Sequence, residues 1–164
     1  MLIGESFQGD GVNAAHVNTV LGARGGPVGT AWATALATPS AGHAPFVAVA
    51  QPGAPAVPPT LFVNKAAIAG PRHAQLTWGA AQAGVAQGVG LAVEQALIGP
   101  EGIEDLVLIA AVWVNPDADE EEAVFANNRA ATLEALRNAK EGRPLVADFV
   151  AAARSPFNPF FRPS

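Results

Sequence analysis

The sequence predicts an α/β protein, in which one compact domain is built on a mixed β-sheet packed by helices. Apolar segments of strand length alternate along the chain with segments of helical period, which is the pattern of that class. Leu106–Val114 is almost entirely apolar, as is typical of a central strand buried on both faces. A length of 164 residues suits a single domain with its own core. We expect this domain to occupy 1–154, followed by a Pro- and Phe-rich tail at 155–164 that docks on its own domain or on a neighbour.

The first part of the chain contains predicted strands separated by turns and one short helix. The strands are Leu2–Phe7, Ala15–Leu21, Phe46–Ala50 and Thr60–Ile68, and the Pro-rich stretch Gln51–Pro59 is predicted to be a loop. Pro27 follows a Gly-Gly turn at the first position of the predicted helix Val28–Ala37, where its missing N–H is not needed.

The second part of the chain is mostly helical around the strand Leu106–Val114. A long helix is predicted over Arg72–Ile98, although glycines crowd its middle and each costs about 1 kcal/mol relative to Ala. These glycines indicate a close approach to the sheet or to another subunit. An acidic helix start at Asp119–Glu122 fits the positive end of a helix dipole, Gly142 ends that helix, and Leu145–Ala153 is predicted to be a short amphipathic helix.

Composition excludes several classes of function. Half of the residues are hydrophobic and only 14% are charged, against about 25% in a typical domain, so we expect part of the surface to be hidden in a homo-oligomer. The net charge is −5 without a basic cluster, which argues against nucleic acid as a partner. Cysteine is absent. We expect a cytoplasmic protein, because no signal peptide is apparent and the longest apolar run is shorter than the roughly 20 residues that span a bilayer.

The residues that can carry chemistry are few. A nucleophile elbow, a P-loop and histidine pairs with metal-ligand spacing are all absent, so no metal is expected. His16 and Asn18 share one face of a predicted strand, and Lys65 is the only basic residue of another. This set suits proton transfer around a neutral ligand rich in heteroatoms. The residues alone also allow a structural His16, a solvated Lys65 and a surface amide at Gln82.

Several ordered segments resemble the formaldehyde-activating enzyme family. They are AHVNTVLG, PVGTAWATAL, GHAPFVAVAQPGAPAVPPTLFVNKAAI and WGAAQAGVAQGVGLAVEQALI. The resemblance extends from about Val12 to Gly142. It implies a compact α/β domain with a left-handed βαβ unit, and cytoplasmic homopentamers that bind the pterin between subunits. It further implies condensation of formaldehyde with tetrahydromethanopterin to the methylene derivative and water, a step of one-carbon metabolism and formaldehyde detoxification, without metal or added cofactor.

The resemblance also assigns roles to particular residues. His16 matches the strand histidine that supplies a proton, and the pterin-contacting positions fall on Asn18, Val47, Lys65, Ala67 and Gln82. Three of these depart from the family pattern. Val47 stands where the family has Leu, which is a mild change, whereas Asn18 stands where it has Asp and Ala67 where it has Thr. Without the Asp we expect His16 to be less protonated than in the family. The alternative function is that of a diverged, non-catalytic homologue that binds a pterin or senses formaldehyde.

Overall fold

A computed structural model describes residues 1–158 and shows the predicted mixed α/β architecture. The strands are β1 (Leu2–Gln8), β2 (Ala15–Ala23), β3 (Phe46–Val47), β4 (Val49–Gln51), β5 (Ala54–Pro55), β6 (Thr60–Asn64) and β7 (Leu106–Val114). The helices are α1 (Pro27–Ala37), α2 (Pro71–Gln75), α3 (Gln82–Glu94), α4 (Glu121–Glu141) and α5 (Val146–Ala152). The segment Leu76–Ala81 is a π-helix that joins α2 to α3, and short 3₁₀ turns occupy Gly11–Asn13 and Ile103–Asp105.

The main sheet has five strands in the order β1-β2-β7-β6-β3. β1 pairs with β2, β2 with β7 and β3 with β6 in antiparallel fashion, whereas β6 and β7 are parallel. The helical segment from α2 to α3 connects the two parallel strands and so forms a βαβ unit. β4 and β5 form a separate two-stranded sheet. The prediction of a mixed sheet with β7 at its centre is confirmed, and the left-handedness of the unit stays a prediction.

One face of the sheet is covered by α3 and α4. Ala15, Val17 and Thr19 of β2 are fully buried on this face, as expected for inward-pointing residues of an alternating strand. Gly84 and Gly88 let α3 approach α4 closely, because a Cβ at these positions would lie 2.4 Å from the carbonyl oxygen of Phe125 and 2.7 Å from that of Arg129. The expected close approach is confirmed, but the expected partner, the sheet or another subunit, is wrong for these two glycines, which pack against a helix of the same chain.

The opposite face of the sheet is only partly covered. α1 lies over one end, where Val28 packs against Gly22. Elsewhere the outward residues of β7, which are Ile109, Ala111 and Trp113, remain half-buried, whereas their neighbours along the strand are buried. The expectation that β7 is buried on both faces is thus wrong for this chain, because no helix of residues 1–158 covers the centre of the second face.

Several boundaries differ from those that the sequence predicts. The strand expected at Phe46–Ala50 divides into β3 and β4, and the loop expected at Gln51–Pro59 contains β5. The strand expected at Thr60–Ile68 ends at Asn64, whose side-chain Nδ2 donates to the carbonyl oxygens of Gly42 and Ala66. These bonds stabilise a bend that takes the chain out of the sheet.

The long helix begins as predicted but ends early. The chain is helical from Pro71 to Glu94, with the π-helical segment inside, and Ala96 adopts a positive φ of 56° that no α-helix continues. Two other helix predictions are confirmed, since Pro27 occupies the first turn of α1 and Gly142 ends α4 in the left-handed conformation.

The C-terminal segment lies outside the core. α5 confirms the helix predicted at Leu145–Ala153, but it buries none of its residues, so its amphipathic character stays a prediction. Phe157 and Asn158 belong to the predicted tail, of which 159–164 lie outside the described residues. Within 1–158 no helix is both long and apolar enough to cross a membrane.

Candidate active site

The candidate site lies on the partly covered face, where β1 and β2 bring four side chains together. Glu5 and Phe7 of β1 pair with Asn18 and His16 of β2, respectively. Because paired residues of antiparallel strands point to the same side, all four side chains stand on one face. The ring of Phe7 stacks on the imidazole of His16 with centroids 3.8 Å apart and planes 9° from parallel. The expectation that His16 and Asn18 share a face is confirmed.

Lys65 reaches this group from two strands away. It immediately follows β6, and its backbone N–H still donates to the Val112 carbonyl oxygen at 2.7 Å. Its side chain therefore points to the same face as His16, with β7 between them. Ala111 of β7 pairs with Asn18, and its short side chain leaves room for the four-carbon stem. The ammonium of Lys65 donates to Asn18 Oδ1 at 2.7 Å and lies 2.9 Å from His16 Nδ1.

The hydrogen bonds assign the proton on His16. An ammonium can only donate, so His16 Nδ1 accepts from Lys65 and the neutral ring carries its hydrogen on Nε2. That nitrogen is 3.0 Å from Glu5 Oε1, so Nε2–H donates to the carboxylate. Both ring nitrogens are thus held in place, and the ring plane is fixed further by Phe7.

The pKa values of the three titratable groups are displaced together. Burial, with a further contribution from the charge of Lys65, lowers the pKa of His16 to about 4. Burial also lowers the pKa of Lys65 to about 8, against an opposing effect of Glu5, and burial raises the pKa of Glu5 although Lys65 opposes it. In each case partial burial disfavours the charged form. At neutral pH the proton of the pair therefore resides on Lys65, and His16 is neutral.

Glu5 is the site residue that sequence reasoning missed. Its carboxylate contacts His16 at 3.0 Å and is 55% exposed, whereas the His16 side chain is 23% exposed. A signal was present, because Glu5 is the only charged residue of its strand and an antiparallel pairing of the first two strands brings β1 residues beside His16. The sequence alone does not fix the register of β1 against β2, and this register is what places Glu5 beside His16.

An open cavity of about 810 Å³ adjoins the cluster. Glu5, Phe7 and Trp113 form its side nearest to His16. The rest of the wall comes from the segment between β1 and β2, the residue after β7 and the C-terminal segment, namely Gly9, Asp10, Gly11, Val12, Ala14, Asn115, Phe157 and Asn158. A space of this size is within the range of about 300–1,000 Å³ that is usual for small-molecule sites.

The other two histidines have structural partners. His43 lies in the loop before β3, and its Nδ1 is 2.8 Å from the carbonyl oxygen of Asn64. His73 is buried near the start of α2, where Nδ1 accepts from the backbone N–H of Ala69 and Nε2 bonds to the Val114 carbonyl oxygen. His43 thus belongs to a loop and His73 to a helix start.

Comparison with known proteins identifies the family of this chain. Residues 3–161 match the family described as formaldehyde-activating enzyme. The chain belongs to the formaldehyde-activating enzyme family. It is 38% identical over 159 residues to the 5,6,7,8-tetrahydromethanopterin hydro-lyase of Methanosarcina barkeri, and the match covers 97% of this chain and 89% of that protein.

Longer relatives contain the same region as one part. The chain is 42% identical over 144 residues to a bifunctional enzyme Fae/Hps of Methanococcoides burtonii, and 36% identical over 158 residues to one of Archaeoglobus fulgidus. These matches cover 88% and 96% of this chain but only 36% and 40% of the relatives. The chain thus spans little more than a third of the length of such bifunctional relatives.

The positions that the family resemblance assigns to the site are not all together in this chain. Asn18 and Lys65 lie with His16, and Val47 of β3 stands on the same face, opposite Leu61 at the far edge of the sheet. Gln82 is elsewhere, since its side-chain amide exchanges two hydrogen bonds with the backbone of Val49 at 3.1 and 3.0 Å.

Ala67 also lies away from the predicted strand. It follows the bend after β6, is exposed and faces Gly42. The prediction of a strand over Thr60–Ile68 is wrong at this residue, because β6 has already ended at Asn64. The roles assigned to Val47, Ala67 and Gln82 in substrate binding stay predictions.

The arrangement is suited to moving a proton beside an apolar surface. Lys65 holds a proton, His16 accepts its hydrogen bond on one nitrogen, and Glu5 accepts from the other. A proton that passes from Lys65 to Nδ1 creates an imidazolium that Glu5 stabilises. The cluster therefore has the parts of a general acid–base pair that is oriented by a third group.

Proposed function

We propose that this protein condenses formaldehyde with tetrahydromethanopterin, giving the methylene derivative and water. The observation that carries the proposal is the Glu5–His16–Lys65 cluster on a chain of the formaldehyde-activating enzyme family. The name of the Methanosarcina barkeri relative, a tetrahydromethanopterin hydro-lyase that this chain matches over 89% of its length, supports the choice of substrate. The reaction belongs to the hydro-lyases and serves one-carbon metabolism.

The chemistry requires a proton donor at one step. Addition of an amine to formaldehyde gives a carbinolamine, whose hydroxyl group leaves as water only when it is protonated. His16 donates this proton, which it receives through Nδ1 from Lys65, and Glu5 stabilises the imidazolium formed in passing. The resulting iminium carbon is then attacked by the second pterin nitrogen, which closes the ring. Because both nitrogens belong to one bound molecule, positioning contributes much of the acceleration.

Pterin binding is assigned to the residues around the cluster. Asn18 fixes Lys65 through the 2.7 Å hydrogen bond, and the open sheet face offers an apolar surface for a flat ring. The family resemblance supports a role for Val47, Ala67 and Gln82 as well. These three residues can contact a ligand bound at the Glu5–His16–Lys65 cluster when a second subunit completes the pocket.

The same resemblance supports a cytoplasmic homopentamer that works without metal or added cofactor. The half-buried centre of the second sheet face and the low share of charged residues favour such an assembly, since a monomer leaves this apolar surface in water.

The proposal is tested by the rate at which formaldehyde and tetrahydromethanopterin condense with and without the protein. The native chain should accelerate the reaction above its spontaneous rate, His16→Ala should lose the acceleration, and the loop variant His43→Ala should keep it. A native protein that gives only the spontaneous rate would overturn the proposal. Pterin binding measured by calorimetry in that case would indicate a non-catalytic binder.

A further inference from the structure

The two lysines of the chain have contrasting surroundings. Lys140 is exposed in the last turn of α4. Lys65 is half-buried on the open sheet face, where Asn18 Oδ1 and His16 Nδ1 accept two of its N–H bonds. The described residues supply no third acceptor, so one direction at Nζ faces the open side of the site.

We propose that Lys65 is a covalent carrier of formaldehyde, whose Nζ forms a methylene iminium with the aldehyde before the carbon passes to the amine substrate. This inference rests on the proposed function for the identity of the aldehyde and of the acceptor. It adds the role of nucleophile to the role of Lys65 as the proton source for His16.

The geometry supports a nucleophile at this position. Lysine amines that form Schiff bases with carbonyl compounds are partly desolvated and lie beside a group that accepts and returns a proton. Lys65 meets both conditions, because it is half-buried and its ammonium lies 2.9 Å from a neutral imidazole nitrogen. The hydrogen bond to Asn18 aims the amine, and it does so without a negative charge that would favour the ammonium.

The electrostatic surroundings of Lys65 also favour a nucleophilic amine. Burial lowers the pKa of Lys65 to about 8, so about one molecule in ten carries the neutral amine at pH 7, against fewer than about one in a thousand for an ordinary lysine. An Asp at position 18 would add a second carboxylate beside the one at Glu5 and would raise the pKa of Lys65. The Asn that departs from the family pattern therefore favours the nucleophilic form.

The steps balance without any further reactant. The ammonium of Lys65 first passes one proton to His16 Nδ1. The neutral Nζ then bonds to the formaldehyde carbon, the C=O π bond breaks, and a second Nζ proton passes to the resulting alkoxide oxygen to give the carbinolamine. His16 returns its proton to that hydroxyl group, the C–O bond breaks, water leaves and the Nζ lone pair forms the iminium.

Transfer then regenerates the lysine. The amine of the pterin adds to the iminium carbon and gives its proton to Nζ, and the Nζ–C bond breaks to leave an iminium on the pterin. The second pterin nitrogen then closes the ring as its proton passes to the freed Lys65 amine. The net change is one formaldehyde and two N–H bonds converted to one N–CH₂–N link and one water. Lys65 and His16 end as they began.

The experiment is trapping of the iminium in the absence of pterin. The native protein is incubated with a limiting amount of formaldehyde, reduced with borohydride and mapped by peptide mass spectrometry. We expect methylation of Lys65 at doses that leave Lys140 unmodified. Exposure alone predicts the reverse order, since Lys140 is the more accessible amine. Labelling of Lys65 equal to or below that of Lys140 overturns the proposal.

A chase links the adduct to the reaction. Addition of tetrahydromethanopterin before borohydride should remove the label from Lys65, because the acceptor takes the carbon. A label that persists through the chase overturns the role of Lys65 as carrier.

Two matched variants separate this inference from the proposed function. Lys65→Arg keeps the positive charge but cannot form the iminium, so it should lose the acceleration of the condensation by a factor of at least about 100, whereas Lys140→Arg should keep it. Full acceleration by Lys65→Arg overturns both the covalent route and the proton relay from Lys65 to His16, and leaves the proposed condensation standing. Because Arg cannot pass a proton to His16 either, the trapped adduct is the result that distinguishes a carrier from a proton donor. Trapping at Lys65 in a native protein that does not accelerate the condensation would instead refute the proposed function alone.

Discussion

The two faces of strand β2 differ in function, because one packs into the core and the other carries residues of the candidate site. Ala15, Val17 and Thr19 point into the core and are fully buried, whereas His16 and Asn18 alternate with them and stand on the open face beside Lys65. A strand with period two can therefore serve stability with one set of residues and chemistry with the other. This separation predicts that substitutions on the open face change activity with little effect on folding, and that substitutions on the covered face do the opposite.

The largest effect is expected from His16→Gln on the open face. Loss of a general acid–base group lowers rates by about 10²–10⁴, so the condensation should slow by that factor. The free energy of unfolding should change by less than about 1 kcal/mol, since the replaced ring is partly exposed and lies outside the core. Rates of condensation and urea unfolding curves provide the two measurements. A variant that is unfolded, or fully active, would contradict the division between the faces.

The opposite behaviour is expected from Phe62→Ala on the covered face of β6. Phe62 is fully buried and stacks on Phe46 with centroids 5.2 Å apart. Its truncation should lower the free energy of unfolding by about 3–5 kcal/mol, measured by denaturant titration. The activity per folded molecule should stay close to that of the native protein. A folded variant with the catalytic defect of His16→Gln would show that the two faces are coupled.

A smaller, electrostatic effect is expected from Asn18→Asp. The new carboxylate would stand at the position that now accepts a hydrogen bond from Lys65 at 2.7 Å. An opposite charge this close raises the pKa of a cation by about 1–3, so the pKa of His16 should rise from about 4. NMR titration of the imidazole signals gives this value directly. An unchanged pKa would mean that burial and Lys65 alone determine the protonation of His16.

The smallest effect concerns the pH dependence of stability. The pKa of His16 is about 4 in the folded state, below its ordinary value of 6.5, so the unfolded chain binds more protons between these pH values. The contribution of His16 to stability is therefore fully present above pH 6.5 and is lost as the pH falls toward 4. The native protein should lose more free energy of unfolding than His16→Gln across this window. If the free energy of unfolding changes with pH in the same way for both proteins, the lowered pKa of His16 is refuted.

Local patterns in the sequence predicted much of the fold. The alternation in Ala15–Leu21, the apolar run of β7, Pro27 at the start of α1 and Gly142 at the end of α4 all reappear in the structure. Each depends on neighbours within a few residues, for which spacing and backbone preference are sufficient evidence. The predictions failed where a distant contact decided the outcome. The strand β6 ends at Asn64 because the Asn64 side chain bonds to the carbonyl oxygen of Gly42, and no local signal records that contact.

The candidate site shows the same limit more sharply. The sequence by itself determined that His16 and Asn18 share a strand face and that Lys65 and His16 are candidates for chemistry. The tertiary structure alone decided that Glu5 contacts His16 Nε2 and that Lys65 contacts Nδ1. The first contact depends on the register of β1 against β2, and the second on the order in which β2, β7 and β6 lie in the sheet. Both are set by the summed packing of the whole domain, because strand pairing joins residues that are far apart in the chain and a one-residue shift of register would turn Glu5 to the other face.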